Sequence, residues 1–315
     1  MTSPALWTVA TGEVALRPGT LGEGVLVDML FSGISRGTER LVFEGRVPEA
    51  EHARMRGPAQ EGAFPFPVKY GYCAVGRVSE GALAGQVVFA LHPHQARFRL
   101  PEVALMPLPE GLPPERAVLC ANMETALNVL WDSGAGPGDA IVIVGAGVVG
   151  ALTGYLAAKV PGTEVTLVDI NRDRAKLADH LGCAFASPEA CPREADVVVH
   201  LSASAGGLAT AIEAAGDEAT VVEASWHGAA PSPVPLGGAF HSRRLKLVSS
   251  QVGGLPVARR ARWDYARRLA KAMELLQDPA LDVLLSGETR FDDLPVQYGA
   301  ILNDPATLCH RVRYS

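Results

Sequence analysis

Residues 140–171 read AIVIVGAGVVGALTGYLAAKVPGTEVTLVDIN, and they decide the fold. Ala140 to Val144 are apolar and dense in β-branched Ile and Val, which suits a strand buried on both faces of a parallel sheet. Gly145, Gly147 and Gly150 follow in G-x-G-x-x-G order. The first glycine permits a tight turn, the second lets the backbone approach a pyrophosphate, and the third lets helix and strand pack closely. Val148 and Val149 open the helix that this spacing predicts, so its unpaired N–H groups and dipole would meet the phosphates.

A second apolar run, Glu164 to Val168, ends in Asp169, with Ile170 beside it. A carboxylate about twenty residues beyond the glycines accepts from the adenosine ribose hydroxyls and repels the extra phosphate of NADP, which favours NAD. Arg172 and Arg174 keep NADP open, since a guanidinium pairs well with a phosphate. The rival reading is a transmembrane helix, because Ile141 to Val160 is long, carries no charge before Lys159, and has Gly150 and Gly154 at G-x-x-x-G spacing. The glycines that interrupt the segment, and Asp139 and Lys159 at its ends, weigh against it.

At 315 residues the chain is long for one core, so two domains are expected. A hydrophobic content of 48% with 20% charged residues indicates an ordered globular protein. The net charge of −6 argues against nucleic acid as a partner, which calls for a basic surface. Cys73, Cys120, Cys183, Cys191 and Cys309 are scattered, with no C-x-x-C pair, so neither a disulfide framework nor a structural zinc lobe is indicated and a reducing cytoplasm fits. The N-terminal MTSPALWTVATGEVALRP shows no basic stretch followed by an apolar core, so no secretory signal is expected, and no membrane partner either.

From Leu6 to about Met106 the pattern is one of short strands broken by Gly and Pro, clearest at 24–31, 75–78, 86–90 and 97–100, which predicts an all-β module, a small barrel. Gly45 to Pro67 is an irregular insert, either a loop or a short helix. Pro113 to Ser133 reads as one or two helices ending at Gly134. Strands at 141–144, 164–168, 196–201, 219–223 and 245–249 alternate with helices from 148, at 172–181 and at 208–215, which demands a doubly wound parallel sheet. One long helix is expected over 257–277, then an apolar 281–285, an amphipathic 294–302 and a last strand at 309–313. These last segments do not read as nucleotide-binding units and suggest a return to the first module. Arg259, Arg260, Arg262, Arg267, Arg268 and Lys271 give the long helix a basic face, read as a solvated surface in preference to a binding face for an acidic substrate.

This order of parts resembles the medium-chain dehydrogenase/reductase superfamily along essentially the whole chain. Gly33-Ile34-Ser35-Arg36-Gly37-Thr38-Glu39 is similar to the family's G-I-C-G-T-D element, Gly71-Tyr72-Cys73-Ala74-Val75-Gly76 to its G-H-E-x-x-G element, and Asp169-Ile170-Asn171-Arg172 to the end of its second Rossmann strand. In 32–39, 122–128 and 237–250 the similarity is closest to a branch that includes bacteriochlorophyllide hydroxyethyl dehydrogenases and related actinobacterial dehydrogenases. The resemblance implies an α/β fold made of a GroES-like β-barrel catalytic domain, a doubly wound Rossmann domain and a C-terminal return, with boundaries expected at 1–115, 116–252 and 253–315. It also implies a nicotinamide cofactor, NAD with NADP open, and a homodimer paired through the edge strand 245–249.

In zinc members of the superfamily the metal is held by the Cys of the first motif, the His of the second and a Cys or Glu on the hinge helix. Those positions fall here on Ser35, Tyr72, and Ala121 or its neighbour. Neutral Ser and Tyr oxygens are poor zinc ligands beside thiolate and imidazole, so no metal is expected; a shifted set with Cys73 and Cys120 lacks a third ligand, and buried apolar cysteines are the better reading.

Tyr72 then becomes the candidate proton or hydrogen-bond donor at the hydride-accepting centre, with Ser35 and Thr38 as a relay and Glu39 orienting it; the alternative is a packed ring with its hydroxyl on backbone. His241 is a further candidate for substrate contact or proton relay, against a plain surface role. For the cofactor, Arg36 would pair with the pyrophosphate or with Glu39, and Thr125 would pack near the nicotinamide, while Glu124 faces either the cleft or solvent. Ser202 would touch the ribose, and Ser225-Trp226-His227 with Ser249-Ser250-Gln251 would line the nicotinamide end.

The function expected is a cytoplasmic, zinc-independent, NAD(P)-dependent oxidoreductase. It would move hydride between a nicotinamide and an alcohol/carbonyl pair of a fairly large organic substrate, in a cleft between the two domains. A quinone or enone reductase of the same fold, and a non-catalytic nucleotide-binding protein, remain the alternatives.

Overall fold

The computed structural model describes residues 1–314. The chain forms two compact units, one of Met1–Ala121 with the segment from Met273 onward, the other of Asn122–Ala272. The changes of unit fall within helices, at 121/122 and 272/273, where the sequence placed boundaries near 115 and 252.

The first unit is built on β1 (Thr2–Ala10), β2 (Glu13–Thr20), β3 (Val25–Ser35), β4 (Glu61–Gly62), β5 (Val68–Lys69), β6 (Ala74–Val78), β7 (Val87–Ala90), β8 (Arg97–Leu100) and β9 (Met106–Pro107), with α1 (Arg36–Phe43) and α2 (Pro114–Ala117). One sheet runs β2-β1-β5-β4. Strand β3 centres the other, pairing antiparallel with β6 and with β8. Inward residues of both sheets, among them Leu6, Val27, Met29, Phe98 and Val88, make one core.

The second unit holds α3 (Cys120–Ser133) from Asn122 onward, then β10 (Ala140–Val144), α4 (Val148–Ala158), β11 (Glu164–Val168), α5 (Arg174–His180), β12 (Ala184–Ala186), β13 (Ala195–His200), α6 (Ala205–Ala214), β14 (Ala215–Glu223), β15 (Lys246–Ser249) and α7 (Tyr265–Leu275), whose last turn passes into the first unit. Its six strands are all parallel, in the order β12-β11-β10-β13-β14-β15, a doubly wound sheet whose direction of growth reverses between β10 and β13. Val142, Val144, Val198 and Val221 pack on one face with α6, and Ile141, Ile143, Val197 and Val199 on the other, which is why these strands read as continuous apolar runs. Strand β15 is an edge of this sheet.

The C-terminal segment adds β16 (Leu285–Arg290), α8 (Leu294–Asn303) and β17 (Cys309–Arg313) to the first unit. Strand β17 pairs antiparallel with β3, Cys309 opposite Ser35, and parallel with β16. Phe291, Leu294, Tyr298, Ile301 and Leu302 join that unit's core.

The apolar stretch 141–160 is, as expected, a strand, a glycine turn and a helix of 11 residues, and among the described residues no helix is long and apolar enough to cross a membrane. Two expectations about the basic segment 257–277 are corrected. The long helix over 257–277 is short, because turns occupy 257–262 and the helix begins only at Tyr265. Arg268 is no solvated charge; it is 1% exposed, donating to Glu124 Oε1 at 3.1 Å, to Asn128 Oδ1 and to the Val252 carbonyl. Glu124 is thereby buried against Arg268 and does not face solvent.

Candidate active site

In the nucleotide-binding-type unit the site is built on the carboxyl ends of the parallel strands. Strand β10 ends at Val144, and Gly145 turns with φ +107°, a left-handed value that disfavours any side chain; an added Cβ would also lie 2.7 Å from the Ser202 backbone nitrogen. At Gly150 a Cβ would lie 1.9 Å from the Gly145 carbonyl oxygen, so helix and turn can approach only here. Gly147 caps α4 without a side chain and is exposed with open space around it, so the first N–H groups of α4, at the half-buried Val148 and Val149, face an approachable surface. These features fit a dinucleotide pyrophosphate.

Asp169 completes this half. Its Oδ2 accepts from the Ala146 N–H at 2.7 Å and its Oδ1 from the Asn171 N–H at 2.8 Å. The carboxylate therefore fixes the glycine turn and the loop after β11 while it stays half-buried, with further lone pairs for ribose hydroxyls. Ile170 beside it is 87% exposed and Arg174 opens α5.

The loops after β13 and β14 lie at the same edge. Ser202 Oγ is 2.7 Å from His200 Nε2, Ser225 Oγ accepts from the Ala203 N–H at 3.1 Å, and Trp226 is half-buried. Ser250 instead donates to Asp132 Oδ2 at 2.7 Å. Thr125 sits half-buried on α3. His241 is not brought to this edge: it is exposed and precedes β15, so it lies toward the amino ends of the strands, and its proposed catalytic part finds no support in the structure.

In the barrel unit, Tyr72 lies on the loop between β5 and β6, and its hydroxyl is hydrogen-bonded with the Ser35 and Thr38 hydroxyls. Ser35 is the N-cap of α1, yet its side chain makes no capping bond, and its oxygen serves Tyr72 instead. Burial pushes the Tyr72 phenol well above its ordinary value, neighbouring Cys73 and Tyr70 push the same way, and the two hydroxyls pull it back. The group stays protonated, a donor and not a base. Glu39, on α1, accepts from the Ser35 backbone N–H at 2.7 Å. Arg36 donates from Nε to the Leu302 carbonyl at 3.0 Å, which ties α1 to α8.

The donor set does not fit zinc. Ser35 and Tyr72 present neutral oxygens already hydrogen-bonded to one another, and Cys73 is a buried thiol pushed well above its ordinary value by burial and by Cys309, Glu39 and Cys120. Among the described residues the cysteines join no group of three metal-ligating side chains.

Sequence reasoning named Glu39 and His227 but missed the polar clusters, one buried and one half-buried, that they join. Beneath Ser35, Glu39 Oε2 accepts from Tyr298 Oη at 2.6 Å and lies 2.9 Å from His94 Nε2, and His94 Nδ1 is 2.7 Å from Ser32 Oγ, which meets Tyr314 Oη at 3.0 Å. At the sheet edge, His200, Glu223 and His227 converge. The histidines of His92-Pro93-His94 and the single His at the end of β13 were the available signals.

No family model matches the chain. L-threonine 3-dehydrogenase of Ruegeria pomeroyi is 25% identical over 217 residues, which cover 68% of this chain and 58% of that protein, so the match spans little more than half the relative's length. Among solved structures, L-idonate 5-dehydrogenase from Escherichia coli superposes with a TM-score of 0.81 at 14% identity, over 99% of this chain and 98% of that one. A dehydrogenase from Sinorhizobium meliloti bound to NADP superposes with a TM-score of 0.76 at 20% identity, over 99% of both chains. The fold is theirs: a GroES-like barrel with a doubly wound Rossmann domain.

Proposed function

We propose that the chain is an oxidoreductase of the medium-chain dehydrogenase/reductase type that uses a nicotinamide dinucleotide, NAD in preference to NADP, and acts without zinc on an alcohol/carbonyl pair in a fairly large organic substrate. The open glycine turn with Asp169 behind it carries this proposal, since those two features recognise a pyrophosphate and a ribose. The threonine dehydrogenase relative and the NADP-bound structure of the same fold support the dehydrogenase chemistry and the nicotinamide cofactor. When bound, the dinucleotide supplies or accepts the hydride.

The chain's own residues handle the oxygen. The Tyr72 phenol donates a hydrogen bond to a carbonyl oxygen and gives up its proton as negative charge develops there. Ser35 and Thr38, bonded to the same hydroxyl, stabilise the phenolate left behind and relay to it a proton taken up from solvent. Because Tyr72 is held protonated, reduction of a carbonyl is the favoured direction. The chain is further proposed to work in the cytoplasm as a homodimer, resembling the bacteriochlorophyllide hydroxyethyl dehydrogenase branch.

A panel of ketones, aldehydes, enones and quinones assayed with NADH and NADPH tests this. Turnover confined to ketones or aldehydes supports it. Turnover confined to enones or quinones moves hydride delivery to carbon, and cofactor binding with no turnover leaves only a nucleotide-binding protein.

A further inference from the structure

His200 ends β13, Glu223 ends the neighbouring β14, and His227 stands on the loop just beyond, so two adjacent parallel strands deliver three ligand-type side chains to one point of the sheet's carboxyl edge. One donor atom from each lies within 4.8 Å of the others. Glu223 Oε2 is 2.6 Å from His200 Nδ1 and 3.4 Å from His227 Nε2. A cation bound at about 2.0–2.2 Å in tetrahedral geometry spaces its donor atoms by roughly 3.4 Å; the His227–Glu223 separation matches, the His200–His227 separation is within 4.8 Å, and the 2.6 Å His200–Glu223 hydrogen bond would give up its proton and open as the cation enters.

What surrounds these atoms is equally specific. Each ligand has its second polar atom anchored: His200 Nε2 is 2.7 Å from Ser202 Oγ, His227 Nδ1 is 2.7 Å from Ser232 Oγ, and Glu223 Oε1 accepts from the Ser225 N–H at 2.8 Å. Hydrogen bonds to the far side of metal ligands fix tautomer and ring orientation in this way. Meanwhile His227 Nε2 is buried, makes no hydrogen bond and faces a carboxylate oxygen. A ring nitrogen and a carboxylate oxygen turned toward each other without a hydrogen bond leave room for a cation that both can ligate.

We propose that His200, Glu223 and His227 bind a divalent transition-metal cation of the zinc type at the ligand-binding edge of the Rossmann unit. Two imidazoles and one carboxylate are a donor set that such ions accept, and three protein ligands leave a coordination position for an exogenous oxygen, from water or from a bound hydroxyl or carboxylate. The site does not rest on the oxidoreductase proposal, but it shares Ser202, Ser225 and His227 with the edge proposed for the dinucleotide; it belongs to the other unit from Ser35 and Tyr72.

The test uses the full-length protein, stripped with chelator and titrated with Co2+ and then with Zn2+. One Co2+ per chain should bind with visible d–d bands of a low-coordinate nitrogen/oxygen site and no thiolate charge-transfer band, and Zn2+ should displace it and raise the melting temperature. His227→Ala and Glu223→Gln should each weaken Co2+ binding by more than about a hundredfold, and Ser232→Ala by about ten- to a hundredfold. Ser232→Ala leaves all three ligating side chains in place and removes only the bond to His227 Nδ1, so it keeps the test decisive if a ligand variant fails to fold. Cys73→Ala should leave the spectrum unchanged. No saturable Co2+ binding, bands that survive His227→Ala, or bands lost in Cys73→Ala would each overturn the proposal.

Discussion

Glu39 Oε2 and His94 Nε2 lie 2.9 Å apart with both side chains 1% exposed, which places a buried hydrogen-bond contact beside the residue that holds Tyr72. A carboxylate in that position is sustained only by its donors, and Glu39 has the Ser35 N–H and Tyr298 Oη besides His94. The same carboxylate therefore pins the Ser35 backbone while the Ser35 hydroxyl serves Tyr72.

Tyr298→Phe removes one of those donors and keeps the ring, including its edge-on contact with Phe43 at 5.5 Å between centroids. Loss of a hydrogen bond to a buried charged acceptor costs roughly 1.5–3 kcal/mol. Urea unfolding should show a midpoint lowered accordingly with unchanged slope. An unchanged midpoint would mean that Glu39 is carried by its other partners.

His92 provides an acid-sensitive element in the barrel. It is 3% exposed and stacked on Phe98 with centroids 3.9 Å apart, and burial pushes its imidazole down to about 3 despite the Pro93 carbonyl it meets at 2.9 Å. In the unfolded chain the ring titrates near 6.5, so between these values only unfolding takes up the proton. Stability from this group is complete above about pH 6.5 and is lost as pH falls toward 3, at about 1.4 kcal/mol per unit. His92→Gln should flatten the dependence of the urea midpoint on pH in that window relative to the parent; parallel curves would rule the histidine out as its source.

The glycine turn, Asp169 and the alternation of β10, β11 and β13 with helices were legible in the sequence because each depends on local spacing: apolar runs for strands buried on both faces, small residues where backbones touch. The hairpin of β1 and β2, the short β12 and the strand β16 were not, since their residues alternate weakly or carry Pro and Gly and owe their strand form to partners such as β17. Buried charge is the least legible. Arg268 has the sequence look of a surface arginine among five other basic residues, and only its tertiary partners Glu124 and Asn128 take it inside. Glu39, His94 and Tyr298 are far apart in the chain, and no motif links them before α8 packs against α1.

The cofactor choice rests on Asp169. NADH should bind more tightly than NADPH by calorimetry, and Asp169→Ser should narrow the gap by relieving repulsion of the extra phosphate. Because Asp169 also holds the Ala146 N–H, the variant should lose some affinity for NADH as well. Tighter NADPH binding by the parent would assign the ribose end to Arg172 and Arg174.

Strand β15 is an edge with Lys246, Leu247 and Ser249 exposed, and an open parallel edge tends to be covered. Pairing across a two-fold axis would extend the sheet by an isologous contact. Light scattering at micromolar concentration should give twice the chain mass of 33.1 kDa, and Leu247→Pro should shift it to the monomer. A parent that runs as a monomer counts against pairing through this strand.

The proposed chemistry turns on Tyr72. Its phenol is bonded with Ser35 and Thr38 and kept protonated by burial, so at neutral pH it can donate to an oxygen but cannot take a proton from one. Loss of a proton-transfer group costs about a hundredfold or more in turnover. Tyr72→Phe deletes one oxygen and keeps the ring and its contact with Tyr70 at 6.1 Å, so it separates chemistry from packing. The variant should bind NADH as the parent does and reduce its carbonyl substrate about a hundredfold more slowly, with the loss in kcat rather than in KM. Ser35→Ala should give a smaller loss, since Thr38 still reaches the phenol. Full turnover in Tyr72→Phe would remove the tyrosine from the mechanism and make Ser35 and Thr38 the next hydroxyls to test.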